Sequence, residues 1–254
     1  MTSLEAIGAH QSATFSSGMV GAAGPDLLPG VPIGREDQLL TPAYWKWRCE
    51  IGAAEGHDYV TKDGALEDEV AFCLLGGFGI RMEVNEAFFR HLKAAGALTL
   101  EAPASESTLL ALLEERIEVE GRFHRYRFPK QRARRISDAL RMLADFDATS
   151  LNDLQFREAI CRIPGVGPKT GSWITRNWRG AETVAILDIH VLRAGWYLGI
   201  FDRGARLPKD YLALEQKFLE FAKALDVRPA VLDAVMWSDM RIFGSRLASK
   251  ILPH

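Results

Sequence analysis

The chain has 254 residues, 48% of them apolar and 25% charged, with a net charge of −2. So much apolar side chain excludes a disordered polymer, and the length allows one large domain or two modest ones. No uncharged apolar run approaches the ~20 residues needed to span a bilayer, and the N-terminus carries neither the basic segment nor the apolar core of a secretory signal. A soluble, intracellular protein of the cytoplasm or nucleoid is expected.

In chain order, residues 1–34 are rich in Ala, Gly, Ser and Pro, with no Lys or Arg before Arg35. They read as a mobile arm or an extended wrap over the surface. From Asp37 onward, three-to-four-residue apolar spacing and Gly/Pro punctuation predict helices over 66–76, 83–95, 105–117, 130–144, 151–162, 168–178, 188–199, 209–225 and 229–242. Ile136, Leu140 and Leu143 illustrate the spacing. Strand signals are short, the best being Ile117 to Val119 and Thr183 to Leu187. The predicted fold class is all-α.

The near-neutral total hides an asymmetry. RFHRYRFPKQRARR, from Arg122 to Arg135, has seven Lys or Arg and no acid, with Phe123, Tyr126 and Phe128 interleaved. That pattern suits a phosphate backbone with stacked bases, and equally a solvated basic helix with a few buried aromatics. Cys49, Cys73 and Cys161 are far apart, so they build neither a cysteine-only zinc site nor a four-cysteine iron–sulfur cluster. They read as small reduced hydrophobes.

The most informative stretch is CRIPGVGPKTGSWITRNW, Cys161 to Trp178. A helix ending near Arg162 is followed by a tight turn in which Gly165 and Gly167 permit positive φ and close approach, while Val166 anchors. Pro168 suits the first position of the next helix, whose exposed amides can bind a phosphate oxygen. This is a helix–hairpin–helix. Lys169 sits in the first turn of the second helix, where the macrodipole disfavours an ammonium. An amine poised near neutrality suits Schiff-base chemistry, although a lysine that merely binds phosphate is commoner. Nineteen residues on, VAILDIHVLRA places Asp188 at a helix start. There it is a natural N-cap, and also a carboxylate able to face Lys169 across a cleft and stabilise cationic charge on a sugar. His190 either binds a phosphate or fills the interface.

With these residues in place, the chain resembles the helix–hairpin–helix–Gly/Pro–Asp DNA glycosylase superfamily. CRIPGVGPK and LDIHVLR are most similar to the 8-oxoguanine DNA glycosylases with abasic-site lyase activity. The resemblance implies two helical subdomains, one over 61–180 with the hairpin at 151–178 and one from 35–60 plus 181–254, with a base-binding cleft between them. It implies that Lys169 attacks C1′, that Asp188 assists at the sugar, and that His190 contacts DNA phosphate beside Gly165, Gly167, Arg127 and Lys130. The carbonyls of Cys161, Ile163 and Val166 are implied to hold a monovalent Na⁺ or K⁺, with no cofactor required and no iron–sulfur cluster. The implied partner is double-stranded DNA containing an oxidised guanine, met by a monomer. Asp233 and Trp237, four apart on one helix face, stand where eukaryotic-type members carry Gln and Phe. One carboxylate can accept guanine N1–H and N2–H₂ while an indole stacks, although an exposed Asp beside a core Trp gives the same pattern. Phe78 and Phe128 are candidates to wedge the gap left by a flipped base, and each could equally be core. Two alternatives stay open: the same fold acting on another modified purine, and a non-catalytic hairpin clamp on DNA.

Overall fold

The computed structural model describes residues 25–54, 64–77 and 79–251, with residues 54 and 244–251 as backbone only. Among the described residues there are ten helices: α1 (Pro42–Ala54), α2 (Leu66–Leu75), α3 (Met82–Ala94), α4 (Glu106–Glu114), α5 (Pro129–Ala144), α6 (Asp153–Ile160), α7 (Pro168–Arg179), α8 (Ile189–Leu198), α9 (Tyr211–Leu225) and α10 (Pro229–Ile251). Two small antiparallel pairs accompany them, β1 (Asp26–Leu28) with β2 (Val31–Pro32) and β3 (Arg116–Val119) with β4 (Arg122–Arg125). The helical class expected from the sequence is the one found. No helix among the described residues is long and apolar enough to cross a membrane.

Local chemistry explains the helix ends. Asn152 caps α6 in a reciprocal box with Gln155, Ser105 caps α4, and Asp188 caps α8 through the N–H groups of His190 and Val191 at 2.8 and 3.0 Å. Gly180, in the left-handed region, stops α7.

Apolar side chains collect in two cores. One joins α1, α8, α9 and α10 through Trp45, Leu192, Phe218, Phe221 and Val235. The other is built by α2 to α7 around Phe88, Leu109, Ile136, Phe156 and Ile174. Each such fully buried side chain contributes about 1.5–3 kcal/mol. A buried polar knot ties the two together. Glu215 of α9 receives the guanidinium of Arg157 from α6, the hydroxyl of Ser172 from α7 at 2.6 Å, and the N–H of Ala185 at 3.1 Å.

Several sequence expectations need correction. Helix α1 is absent from the segments read above. Thr183 to Leu187 is extended but belongs to no strand. Its N–H groups go to side chains instead, Ala185 to Glu215, Ile186 to Asp233 at 2.8 Å and Leu187 to the Tyr211 hydroxyl at 3.3 Å. The basic run is not one helix: it opens as strand β4 and becomes helical only at Pro129. Its aromatics diverge, with Tyr126 buried and its hydroxyl on the Leu75 carbonyl, while Phe123 is 65% exposed. Arg132 is buried as well, donating to the Gly76 carbonyl at 2.9 Å. Within the N-terminal arm, Val31 is core, and residues 1–24 lie outside the described part. The last helix runs nine residues past 242, to Ile251. Cys49 and Cys73 are buried thiols, the first pushed up to about 12 and the second well above its ordinary value, both by burial.

Candidate active site

The hairpin is pinned from inside and open outside. Ile163 and Val166 are buried, and the Val166 N–H closes the turn on the Ile163 carbonyl at 3.0 Å. Gly165 has φ +94°, and a Cβ there would sit 2.5 Å from Cδ of Arg135. Only glycine satisfies both constraints. Gly167 is exposed, with open space where its Cβ would be, so the start of α7 is open to solvent. A hollow of about 540 Å³ beside the turn is lined by Lys130, Arg134 and Arg135 together with the carboxylates of Glu106 and Asp138. Burial and the neighbouring Arg132 lower the pKa of the Arg135 guanidinium.

On α7, Lys169, Trp173, Arg176 and Asn177 follow the helical period, so they share a face. That face forms one wall of a cavity of about 390 Å³. The opposite wall is α10, with Asp233, Ala234 and Trp237, and Phe72, Met82, Ile186 and Asp188 close it. The structure therefore brings Lys169, Asp188, Asp233 and Trp237 into a single hollow, although 64 residues separate Lys169 from Asp233 (233 − 169). A wider cleft outside it takes in Lys169, Asp188, His190, Trp237 and Arg241.

The groups at the mouth have few partners. The Lys169 ammonium lies 6.0 Å from the Trp173 ring centroid and makes no ion pair among the described residues. Asp188 uses Oδ1 as the helix cap, which leaves Oδ2 for other work. The Nδ1 of His190 is buried with no hydrogen-bond partner among the described residues. Arg241 stacks on Trp237, 4.7 Å from the ring centroid.

The deep end is the reverse. Asp233 is 3% exposed, its Oδ1 on the Arg176 guanidinium and its Oδ2 on the Ile186 N–H. Burial raises its carboxyl to about 6, against the lowering pull of Arg176 and the Ile186 amide. The exposed-Asp alternative is thus overturned. The carboxylate is also not an unoccupied acceptor, since each oxygen already holds one donor. Sequence reasoning missed Arg176, Trp173, Phe72 and Met82 as cavity residues. The signal was present for the first two, since they stand seven and four residues after Lys169.

The remaining candidates sit elsewhere. Phe78 lies outside the described residues. Phe128 is 37% exposed with the Arg127 guanidinium 5.0 Å above its ring, so it is not core. No group of three or more His, Cys, Asp or Glu that could hold a metal ion occurs among the described residues. Of the three carbonyls implied to hold a monovalent ion, that of Ile163 already accepts the Val166 N–H.

Residues 60–227 match the family model described as 8-oxoguanine DNA glycosylase. The chain belongs to that family. A relative from Metallosphaera sedula, an 8-oxoguanine DNA glycosylase/AP lyase, is 34% identical over 122 residues, which is 44% of this chain and 57% of the relative. The match thus spans little over half of that relative's length. The crystal structure of the 8-oxoguanine DNA glycosylase of Thermotoga maritima aligns with TM-score 0.53 and 26% identity, covering 78% of this chain and 89% of the other. A Methanocaldococcus jannaschii 8-oxoguanine glycosylase/lyase, solved with a 15mer DNA containing 8-oxoguanine, shares the fold at TM-score 0.57, with 22% identity over 80% and 92% of the two chains.

Proposed function

We propose that this member of the 8-oxoguanine DNA glycosylase family releases 8-oxoguanine from duplex DNA and cuts the strand at the abasic site it creates. The observation that carries the reading is one cavity that Lys169, Asp188, Asp233 and Trp237 line together, with Asp233 buried and the other three also facing the wider cleft outside. Its volume lies within the range of small-molecule sites and its lining is largely apolar with a few convergent polar groups. The M. sedula relative carries both activities in its name, and the M. jannaschii protein was solved on DNA with this lesion.

The target base must leave the stack to reach the cavity, at a cost of a few kcal/mol. The amides of Gly165 and Gly167, with Lys130 and Arg134 beside them, take the sugar–phosphate chain. Arg127 and His190 line its further path. Indole surface at Trp237 stacks on the flipped base, worth about 1–3 kcal/mol. Asp233 accepts N1–H and N2–H₂ of a guanine edge on lone pairs that Arg176 and Ile186 leave unused.

Lys169 Nζ, having given up its ammonium proton, forms a bond to C1′ as the glycosidic bond breaks. The base leaves with that electron pair and takes up a proton. Oδ2 of Asp188 faces the cationic charge that develops on the sugar. Collapse of the ring yields an imine, loss of a C2′ proton then expels the 3′ phosphate, and water releases the lysine. A monovalent cation on the carbonyls of Cys161, Ile163 and Val166 would add positive charge against the phosphate.

Borohydride reduces such an imine to a stable amine. Incubation with 8-oxoguanine duplex and borohydride is expected to give a covalent protein–DNA adduct, absent with undamaged duplex. A panel with other modified purines checks the substrate: stronger trapping on one of those would replace 8-oxoguanine in this reading. Failure to trap on any of them would end it.

A further inference from the structure

Resting on that reading of the cavity, we infer that Arg176 is a second specificity-determining residue. Together with Asp233 it reads the carbonyl-beside-N–H edge of the flipped base, O6 and N1–H. Three of the five guanidinium N–H groups are already used. Nε donates to the Asn177 side-chain carbonyl at 3.0 Å, and Nη1 donates to Asp233 Oδ1 and to the Ala230 carbonyl at 3.4 Å. Nη2 has no acceptor among the described residues, while the side chain lines the cavity. Two N–H groups are therefore left over, and since Nη2 is not one of the fully buried unpartnered atoms, it stays reachable where the otherwise buried side chain lines the cavity.

The fork is held rigidly. Asn177, which fixes Nε, is itself held by Glu69 at 3.0 Å, and Asp233, which fixes Nη1, is held by the Ile186 N–H. Nη2 cannot swing to solvent without breaking that set. What remains is a donor next to an acceptor, with fixed spacing. Guanine bases present the complement, an acceptor at O6 beside a donor at N1. Adenine bases present the reverse, a donor at N6 beside an acceptor at N1, which would meet both protein groups with like polarity. Pairing a charged donor and a charged acceptor in a dry site gives discrimination that stacking on Trp237 cannot supply, because every base has a π-face. A second edge of the same chemistry exists on the oxidised base, O8 beside N7–H. It is shared by 8-oxoguanine and 8-oxoadenine, which makes the two edges separable.

The experiment compares single-turnover release of 8-oxoguanine and of 8-oxoadenine from otherwise identical duplexes. Wild type, Arg176→Gln and Arg176→Lys are used, and cutting of a preformed abasic site by the same protein serves as the internal reference. Wild type is expected to prefer 8-oxoguanine by about 100-fold or more. In Arg176→Gln the 8-oxoguanine rate, relative to the reference, should fall about 10- to 100-fold, while the relative 8-oxoadenine rate does not fall. Arg176→Lys keeps a cation against Asp233 but not the fork, and should lie between the two. It decides by the same ratio if the glutamine variant does not fold. An unchanged preference in the variants overturns the inference while leaving the enzyme's substrate intact. Equal release of both bases by wild type overturns it in favour of the O8 and N7–H edge. Abasic cutting without release of either base removes the parent reading and this one with it.

Discussion

The two ends of the cavity differ in how their polar groups are held. At the mouth, among the described residues, Lys169 makes no ion pair, Asp188 keeps one oxygen free, and His190 has an unpartnered nitrogen. At the deep end, buried Asp233, Arg176 and Asn177 form a continuous hydrogen-bonded chain that ends on half-buried Glu69. The contrast separates two physical tasks. A nucleophile must change partners and protonation during reaction, so strong prior partners would raise its barrier. A recognition edge gains from being fixed beforehand, since nothing then has to reorganise when the base arrives.

The sharpest way to break the comparison is Lys169→Gln. Strand cutting and borohydride trapping should fall about 1,000-fold or more, with duplex binding retained. Cutting at wild-type rate would show that the mouth does not hold the nucleophile.

Next comes Asp188, where capping and chemistry can be pulled apart. Asn is as good an N-cap as Asp, so Asp188→Asn should melt within a few degrees of wild type yet release base about 100-fold more slowly. Asp188→Ala loses the cap too, and should be about 1 kcal/mol less stable in a denaturant titration.

The deep end should show itself in pH. Burial raises the Asp233 carboxyl to about 6, above its ordinary 3.8. A raised carboxyl pKa means the folded state binds the extra proton, so between about 4 and 6 this group favours folding as pH falls, and its cost to stability is largest once it is ionised. Activity runs the other way. Above about 6 the group is a carboxylate paired with Arg176, and below it one oxygen carries a proton, a donor that opposes N1–H and N2–H₂ and weakens the acceptor edge. Release of 8-oxoguanine should therefore drop about tenfold per unit as pH falls below about 6, and Asp233→Asn should flatten that limb. A limb that persists in the variant would assign it to another group.

The smallest expected change is Lys130→Ala, beside the hairpin. Binding should weaken a few-fold on damaged and undamaged duplex alike, with the salt dependence reduced by about one phosphate contact. A loss confined to damaged DNA would place Lys130 in the base site instead.

Much of the architecture was readable because it is written locally. Helices α5, α7 and α9 carry apolar residues at helical spacing between clear Gly and Pro breaks. Helix α1 had a start signal that was passed over: Thr41 accepts the Tyr44 N–H at 3.2 Å, and Pro42 takes the first helical position. Its mixture of Trp, Tyr, Lys and Cys shows little amphipathic contrast, so periodicity did not reveal it. Thr183 to Leu187 looked like a strand because it is extended and apolar, but side chains from α9 and α10 take the place of a neighbouring strand. For the site, the turn at Gly165 and the position of Lys169 follow from short-range rules. Helical spacing puts Arg176 on the Lys169 face but does not give its burial, because a single arginine on a helix ordinarily reads as solvated. Its burial depends on Asp233, 57 residues further along, and no spacing rule connects the two.

Glu215 adds a mechanical consequence. Its carboxylate bolts α6, α7 and the strand-like 185 segment to α9 at a point where nothing polar is exposed to water. Prying the jaws apart would strand a bare charge in grease. On the proposed function the protein would meet the duplex as an anvil and not a clamp, and the bending needed to deliver a nucleotide would fall on the double helix. Sequences that buckle easily around the lesion should be served fastest.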